Sequence, residues 1–93
     1  MKCIHILVTG RVQGVFFRAF TKKSADECAI KGWVKNLPDS RVEAFAIGAE
    51  DKINDFLDKL RAGPPASRVD DIEVDVVAPQ DTEEEYNDFR ILR

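Results

Sequence analysis

Between Thr9 and Phe17 the hydrophobic period of the chain changes. Over residues 3 to 9, Ile4, Ile6 and Val8 alternate with Cys3, His5 and Thr9, as in a half-buried strand. From Phe17 onward, Phe17, Phe20, Ser24 and Cys28, with Ala25 and Ala29 beside them, recur at helical spacing. The nine residues GRVQGVFFR at 10–18 bridge the two patterns. A strand that passes through two glycines into a helix commits the chain to a strand–loop–helix unit and locates a helix N-terminus.

The rest of the chain continues in the same two periods. Gly32 is expected to end the first helix, because glycine tolerates positive φ just past a helix, with Lys31 at the negative end of the dipole. WVKNL reads as a second strand, PDSR at 38–41 as a turn and VEAFAIG as a third strand, an antiparallel hairpin over residues 33 to 48. Ile53, Phe56, Leu57 and Leu60 define a second helix from Glu50 to Ala62, with Glu50 and Asp51 at its positive end and GPP at 63–65 as its stop. VDDIEVDVVAP alternates Ile72, Val74 and Val76 against acids, DTEEEY reads as a solvated turn, and DFRILR, with Phe89 and Ile91, reads as a short last strand.

The order β-α-β-β-α-β plus a terminal strand is that of the ferredoxin-like α+β sandwich, with two helices on one face of a mostly antiparallel sheet and the other face partly open to solvent. Residues 1–93 are expected to form a single domain, without linker, repeat or second core.

Composition removes several classes of function. No stretch approaches the roughly 18 apolar residues of a membrane span, the N-terminus does not read as a secretion signal, and a cytoplasmic location is expected. One histidine and two cysteines without CxxC spacing supply neither a zinc site nor a disulfide framework, and strand parity turns Cys3 away from the apolar face. Both thiols read as bystanders. The net charge of −3 divides unevenly: residues 1 to 48 carry eight Lys and Arg against four Asp and Glu, and residues 49 to 93 carry six against thirteen. At that balance no nucleic-acid surface is expected, but a local anion site in the first half is.

The loop at 10–18 is where such a site belongs. Backbone N–H groups from about Gln13 to Arg18 lie at the positive end of a helix, Gly10 and Gly14 let the backbone curl, and Arg18 in the first turn adds a guanidinium fork. The ligand is phosphate-sized. Gly-Lys-Ser/Thr is absent, so the loop is not a Walker loop, and an RNA-recognition signature would lie within a strand rather than across its end. A right-handed β-α-β crossover makes the first two strands parallel, which carries Asn36, about four residues and roughly 13 Å up the second strand, to the edge where the loop sits. An amide there can orient a water.

GRVQGVFFR, followed by GWVKNLPD and VEAFAIG, resembles the acylphosphatase family over essentially the whole chain, with GPPASRVDDIEV and DFRIL as later landmarks. The resemblance implies hydrolysis of acyl phosphates to a carboxylate and inorganic phosphate without cofactor or metal. It implies that Arg18 binds the phosphate, that Asn36 orients the water, and that Gly10, Val12, Gln13, Gly14, Val15, Phe16 and Phe17 form the substrate cradle. Phosphate or sulfate should compete, no nucleic-acid or membrane partner is implied, and a monomer is expected. A non-catalytic phosphate- or carbamoyl-phosphate-binding module is the second class; chain length and the presence of both Arg18 and Asn36 favour the enzyme.

Asp39-Ser40 stands where many members of that family have Asp-Gly, a departure expected to cost the hairpin about 1 kcal/mol if φ is positive there. His5 reads as a strand residue away from the loop. Trp33, Phe16, Phe17 and Phe20 read as core packing beneath the loop rather than a stacking platform.

Overall fold

The computed structural model describes residues 1–78 and 87–92. Five strands form one sheet: β1 (Lys2–Arg11), β2 (Lys31–Asn36), β3 (Val42–Gly48), β4 (Arg68–Val77) and β5 (Phe89–Ile91). Helices α1 (Phe17–Glu27) and α2 (Glu50–Ala62) follow β1 and β3. The strand order is β4-β1-β3-β2-β5, antiparallel throughout except for β2 and β5. The ferredoxin-like order expected from the periodicities is therefore present. The DTEEEY run lies wholly outside the described residues.

Burial explains the strands. Ile4, Ile6 and Val8 of β1, Val34 of β2, and Val42, Ala44 and Ala46 of β3 share one sheet face and are buried under the helices. Phe17 and Ala25 reach down from α1, and Ile53, Phe56, Leu57 and Leu60 from α2. The Phe56 ring meets Phe89 of β5 edge-on at 5.9 Å, closing the core at the far edge of the sheet. Each such large side chain, fully buried, contributes about 1.5–3 kcal/mol, more than the roughly 1 kcal/mol that a helix cap typically supplies.

On the opposite face, His5, Glu43 and Lys35 form a polar row, with His5 Nε2 2.5 Å from Glu43 Oε2 and Lys35 Nζ 3.6 Å from Glu43 Oε1. Trp33 stacks beside Phe45 there. Cys3 shares that face, as parity requires, yet is buried, and so is Cys28 beside α1. Burial pushes the Cys28 thiol above its ordinary pKa.

The end of α1 differs from the sequence reading. Ala29, at φ 56, takes the left-handed position after the helix, and its neighbour Ile30 returns an amide to the Ala25 carbonyl. Gly32 lies within β2 instead, at φ 138, where a Cβ would fall 1.9 Å from the Phe45 carbonyl oxygen. Close approach to β3 thus requires that glycine. The contact that claims Gly32 comes from Phe45, thirteen residues further along the chain, which local capping rules do not see.

Candidate functional site

The register places Asn36. Val8 of β1 pairs with Val42 of β3, which pairs with Asn36 of β2, so Asn36 is level with the end of the apolar run in β1. With β3 antiparallel to both, β1 and β2 are parallel, as the crossover rule requires, and the loop leaving β1 opens beside Asn36.

A pocket of about 310 Å³ forms there, lined by Val12, Gly14, Phe16, Phe17, Arg18, Ala19, Asn36 and Ile91. Its floor is the start of α1. Phe16 is the N-cap residue, and among the described residues no side chain caps the helix. The first backbone bond into the turn runs from the Phe20 amide to the Phe16 carbonyl at 3.0 Å, so the amides of Phe17, Arg18 and Ala19 precede any intrahelical acceptor. No acid occupies that turn, and its only charge is Arg18. The helix end is electropositive and open to an anion.

Two polar groups meet this helix end. Arg18 is half-buried, and its Nη1 donates a long 3.4 Å bond to the Leu92 carbonyl at the end of β5. Asn36 Oδ1 is buried and has no hydrogen-bond partner among the described residues. A buried acceptor without a donor is costly, about 1–3 kcal/mol, and a donor from a ligand or water would relieve that cost.

The seven cradle residues divide by position. Val12, Gly14, Phe16 and Phe17 line the pocket; Gly10, Gln13 and Val15 do not. Gly10 lies in β1 at the bulge opposite β4, where a Cβ would come 2.1 Å from the Arg68 carbonyl oxygen, so it serves the sheet. Gly14, at φ +74, has open space around a hypothetical Cβ, and its backbone conformation rather than crowding favours glycine. Val12, Val15 and Phe17 are buried in the core and anchor the loop from beneath.

Gln13 turns its side chain the other way. Its Nε2 donates to the Leu37 and Arg41 carbonyls, each at 2.9 Å. Those carbonyls close the β2–β3 turn, where the Leu37 amide bonds to the Arg41 carbonyl at 2.8 Å. Gln13 therefore ties the loop to the hairpin carrying Asn36. In the same turn Ser40 has φ 76, the left-handed conformation anticipated for the Asp39-Ser40 pair. Hydrogen bonds from Arg41 hold the Asp39 carboxyl below its usual pKa.

The aromatic reading needs correction. Phe17 is core, but Phe16 is 83% exposed, with φ 64, and Trp33 lies on the far face of the sheet. Phe16, at the N-cap with φ 64, falls off the α1 face that runs through Phe17, Phe20 and Ser24. The sequence reading also missed Ala19 and Ile91. Ile91 reaches the pocket because β5 runs parallel to β2, pairing with Val34 two residues before Asn36. His5, Cys3 and Cys28 stand apart from the pocket, as expected.

The acylphosphatase family model matches residues 4–91. Acylphosphatase of Methylococcus capsulatus is 43% identical over 93 residues, covering 100% of this chain and 98% of the relative. That of Methanococcoides burtonii is 44% identical, covering 100% and 94%. The crystal structure of acylphosphatase from Bacillus subtilis superposes with a TM-score of 0.93 at 40% identity, covering all of both chains. Full-length HypF, in its phosphate- and nucleotide-bound form, contains a similar unit: TM-score 0.83, 32% identity, 99% of this chain but 12% of that one. Matched from end to end by relatives of its own length, the chain belongs to the acylphosphatase family.

Proposed function

We propose that the chain, as an acylphosphatase, cleaves acyl phosphates in the pocket at the start of α1 by direct attack of water on phosphorus. The observation that carries this is the convergence of an uncapped helix N-terminus, Arg18 and the unpaired Asn36 Oδ1 on one pocket. The amides of the loop and first turn take the phosphoryl oxygens, and Arg18 exchanges its long bond to Leu92 for a charge-assisted pair with the phosphate. Asn36 Oδ1 accepts a hydrogen bond from the attacking water and points its lone pair at phosphorus.

The reaction asks little more of the protein. The leaving group is a carboxylate, whose conjugate acid has a pKa of roughly 4 to 5, like the Asp and Glu side chains, so it departs without a general acid. Phosphoryl transfer is then largely positioning and charge stabilisation, both of which this pocket supplies. Gln13 contributes indirectly, by holding the loop and the Asn36 hairpin in one frame. The reading includes a monomer in the cytoplasm, independent of metal, with inorganic phosphate or sulfate competing for the same oxyanion site.

The test is phosphate release from acetyl phosphate in EDTA, with p-nitrophenyl phosphate as the poor-leaving-group control. Turnover of the first, little of the second and competitive inhibition by phosphate are expected. Activity restored only by added magnesium or zinc would overturn the metal-free reading, and inhibition by phosphate confined to kcat would overturn the shared site.

A further inference from the structure

The strand that completes the pocket is thinly held. β5 is three residues long, lies at the edge of the sheet and pairs with β2 in the parallel sense, the less stable per residue. Its apolar anchor is Phe89, buried against Phe56, whereas Ile91 and Leu92 are 40% and 37% exposed. Yet this outer half serves the site: Ile91 lines the pocket, and the Leu92 carbonyl accepts the bond from Arg18 Nη1.

A polar tie from α1 supplements the anchor. The Asp88 carbonyl accepts from the Gly32 amide at 3.0 Å, and the Leu92 amide donates to the Val34 carbonyl at 2.8 Å. Carbonyls along a strand alternate between its two edges, so the Phe89 carbonyl points to the open edge of the sheet. Lys22 meets it there, with Nζ donating at 3.0 Å. Lys22 stands four residues after Arg18, on the same side of α1, so the helix holds β5 at two carbonyls, those of Phe89 and Leu92. One turn further on, Asp26 Oδ2 accepts from the same ammonium at 3.2 Å and steadies it. Lys22 is not among the residues that line the phosphate pocket.

We infer that Lys22 is a positioning residue for the proposed reaction: by holding β5 against α1 it fixes the Leu92 carbonyl, which keeps the Arg18 guanidinium beside the pocket until a phosphoryl group takes its place. This rests on the reading of Arg18 as the phosphate ligand and adds the residue that prepares it. An arginine side chain loses rotamer freedom when it binds an anion, and one already restrained loses less.

The experiment measures kcat/KM for acetyl phosphate and calorimetric affinity for inorganic phosphate in the wild type, Lys22→Met, Lys22→Arg, Arg18→Gln and the double variant Lys22→Met/Arg18→Gln. Hydrogen exchange at the Leu92 amide follows β5 itself. The Lys22 side chain is 41% exposed, so methionine fits without repacking, and circular dichroism and unfolding midpoints establish that each variant is folded. Lys22→Met should lower kcat/KM about tenfold, weaken phosphate binding by a similar factor and speed exchange at Leu92. Lys22→Arg, which keeps a donor for the Phe89 carbonyl, should stay within about twofold of wild type on all three. In the Arg18→Gln background Lys22→Met should change kcat/KM by less than about twofold, because the residue it acts through is gone. A wild-type kcat/KM in Lys22→Met, an equal loss in Lys22→Arg, or an equal further loss in the Arg18→Gln background overturns the inference and leaves the Arg18 reading intact. Activity lost without faster exchange at Leu92 assigns the effect to the Lys22 charge and also overturns it. A wild-type rate in Arg18→Gln overturns the Arg18 reading, and the inference with it.

Discussion

The two helices lie side by side on one sheet face, and their first turns follow opposite rules. α2 begins with Glu50 and Asp51 and ends with Lys59 and Arg61, so its dipole is matched at both ends by the chain's own charges. α1 begins with a left-handed phenylalanine cap, has no acid in its first turn and places Arg18 there. Charge matching contributes about 0.3–1 kcal/mol per group, and left-handed strain at Phe16 costs about 1–3 kcal/mol. Burying Phe17 contributes about 1.5–3 kcal/mol at the adjacent position, enough to hold the turn without a cap. One helix end is finished by its own side chains; the other is held by the core and carries no carboxylate of its own.

If that contrast is functional, Arg18→Gln should have the largest effect. With the only charge of the first turn removed, kcat/KM for an acyl phosphate should fall about a thousandfold, with both phosphate affinity and turnover reduced. An effect confined to KM would show that Arg18 only gathers substrate. Asn36→Ala should come next, lowering kcat about a hundredfold, on the order of 3 kcal/mol of barrier, while phosphate affinity measured calorimetrically stays near wild type. Equal loss of phosphate binding would move Asn36 from the water to the phosphate.

A third substitution turns α1 into a copy of α2. Ala19 is exposed in the first turn, and Ala19→Glu would supply the missing carboxylate. It should raise stability by about 0.3–1 kcal/mol and weaken phosphate binding roughly tenfold, because the protein's own anion then occupies the field meant for the ligand. Stability gained without loss of binding would break the comparison. The converse change, Glu50→Gln with Asp51→Asn, should cost about 0.3–1 kcal/mol per group, seen as an unfolding midpoint lower by a few degrees, and leave phosphate affinity alone.

An effect on stability alone is expected outside both helices. Ser40, at φ 76 in the β2–β3 turn, holds a conformation that suits glycine, so Ser40→Gly should add about 1 kcal/mol of stability in denaturant unfolding. A loss of stability would mean that the Ser40 hydroxyl's bond to the Asp39 carbonyl outweighs the backbone strain.

What could be read in advance followed from periodicity and chain order. Ile4, Ile6 and Val8, and then Ile53, Phe56, Leu57 and Leu60, bury one face each, and a buried face imposes its period on the residues that form it. The crossover rule then carried Asn36 to the loop, and glycine chemistry with Arg18 marked the proposed anion site. The sequence thus determined the order of the elements, the apolar faces and the neighbourhood in which a phosphate would sit.

Tertiary structure decided which way individual side chains turn and what each glycine is for. Gly10 and Gly32 each answer to a carbonyl on another strand, that of Arg68 and that of Phe45. Gln13, placed by its motif in the cradle, faces the Leu37 and Arg41 carbonyls of the hairpin. Ile91 enters the pocket only because β5 pairs with β2. In every case the deciding contact comes from a segment remote in sequence. A side chain's partner is set by the distances that packing creates, whereas local pattern records only which face is buried.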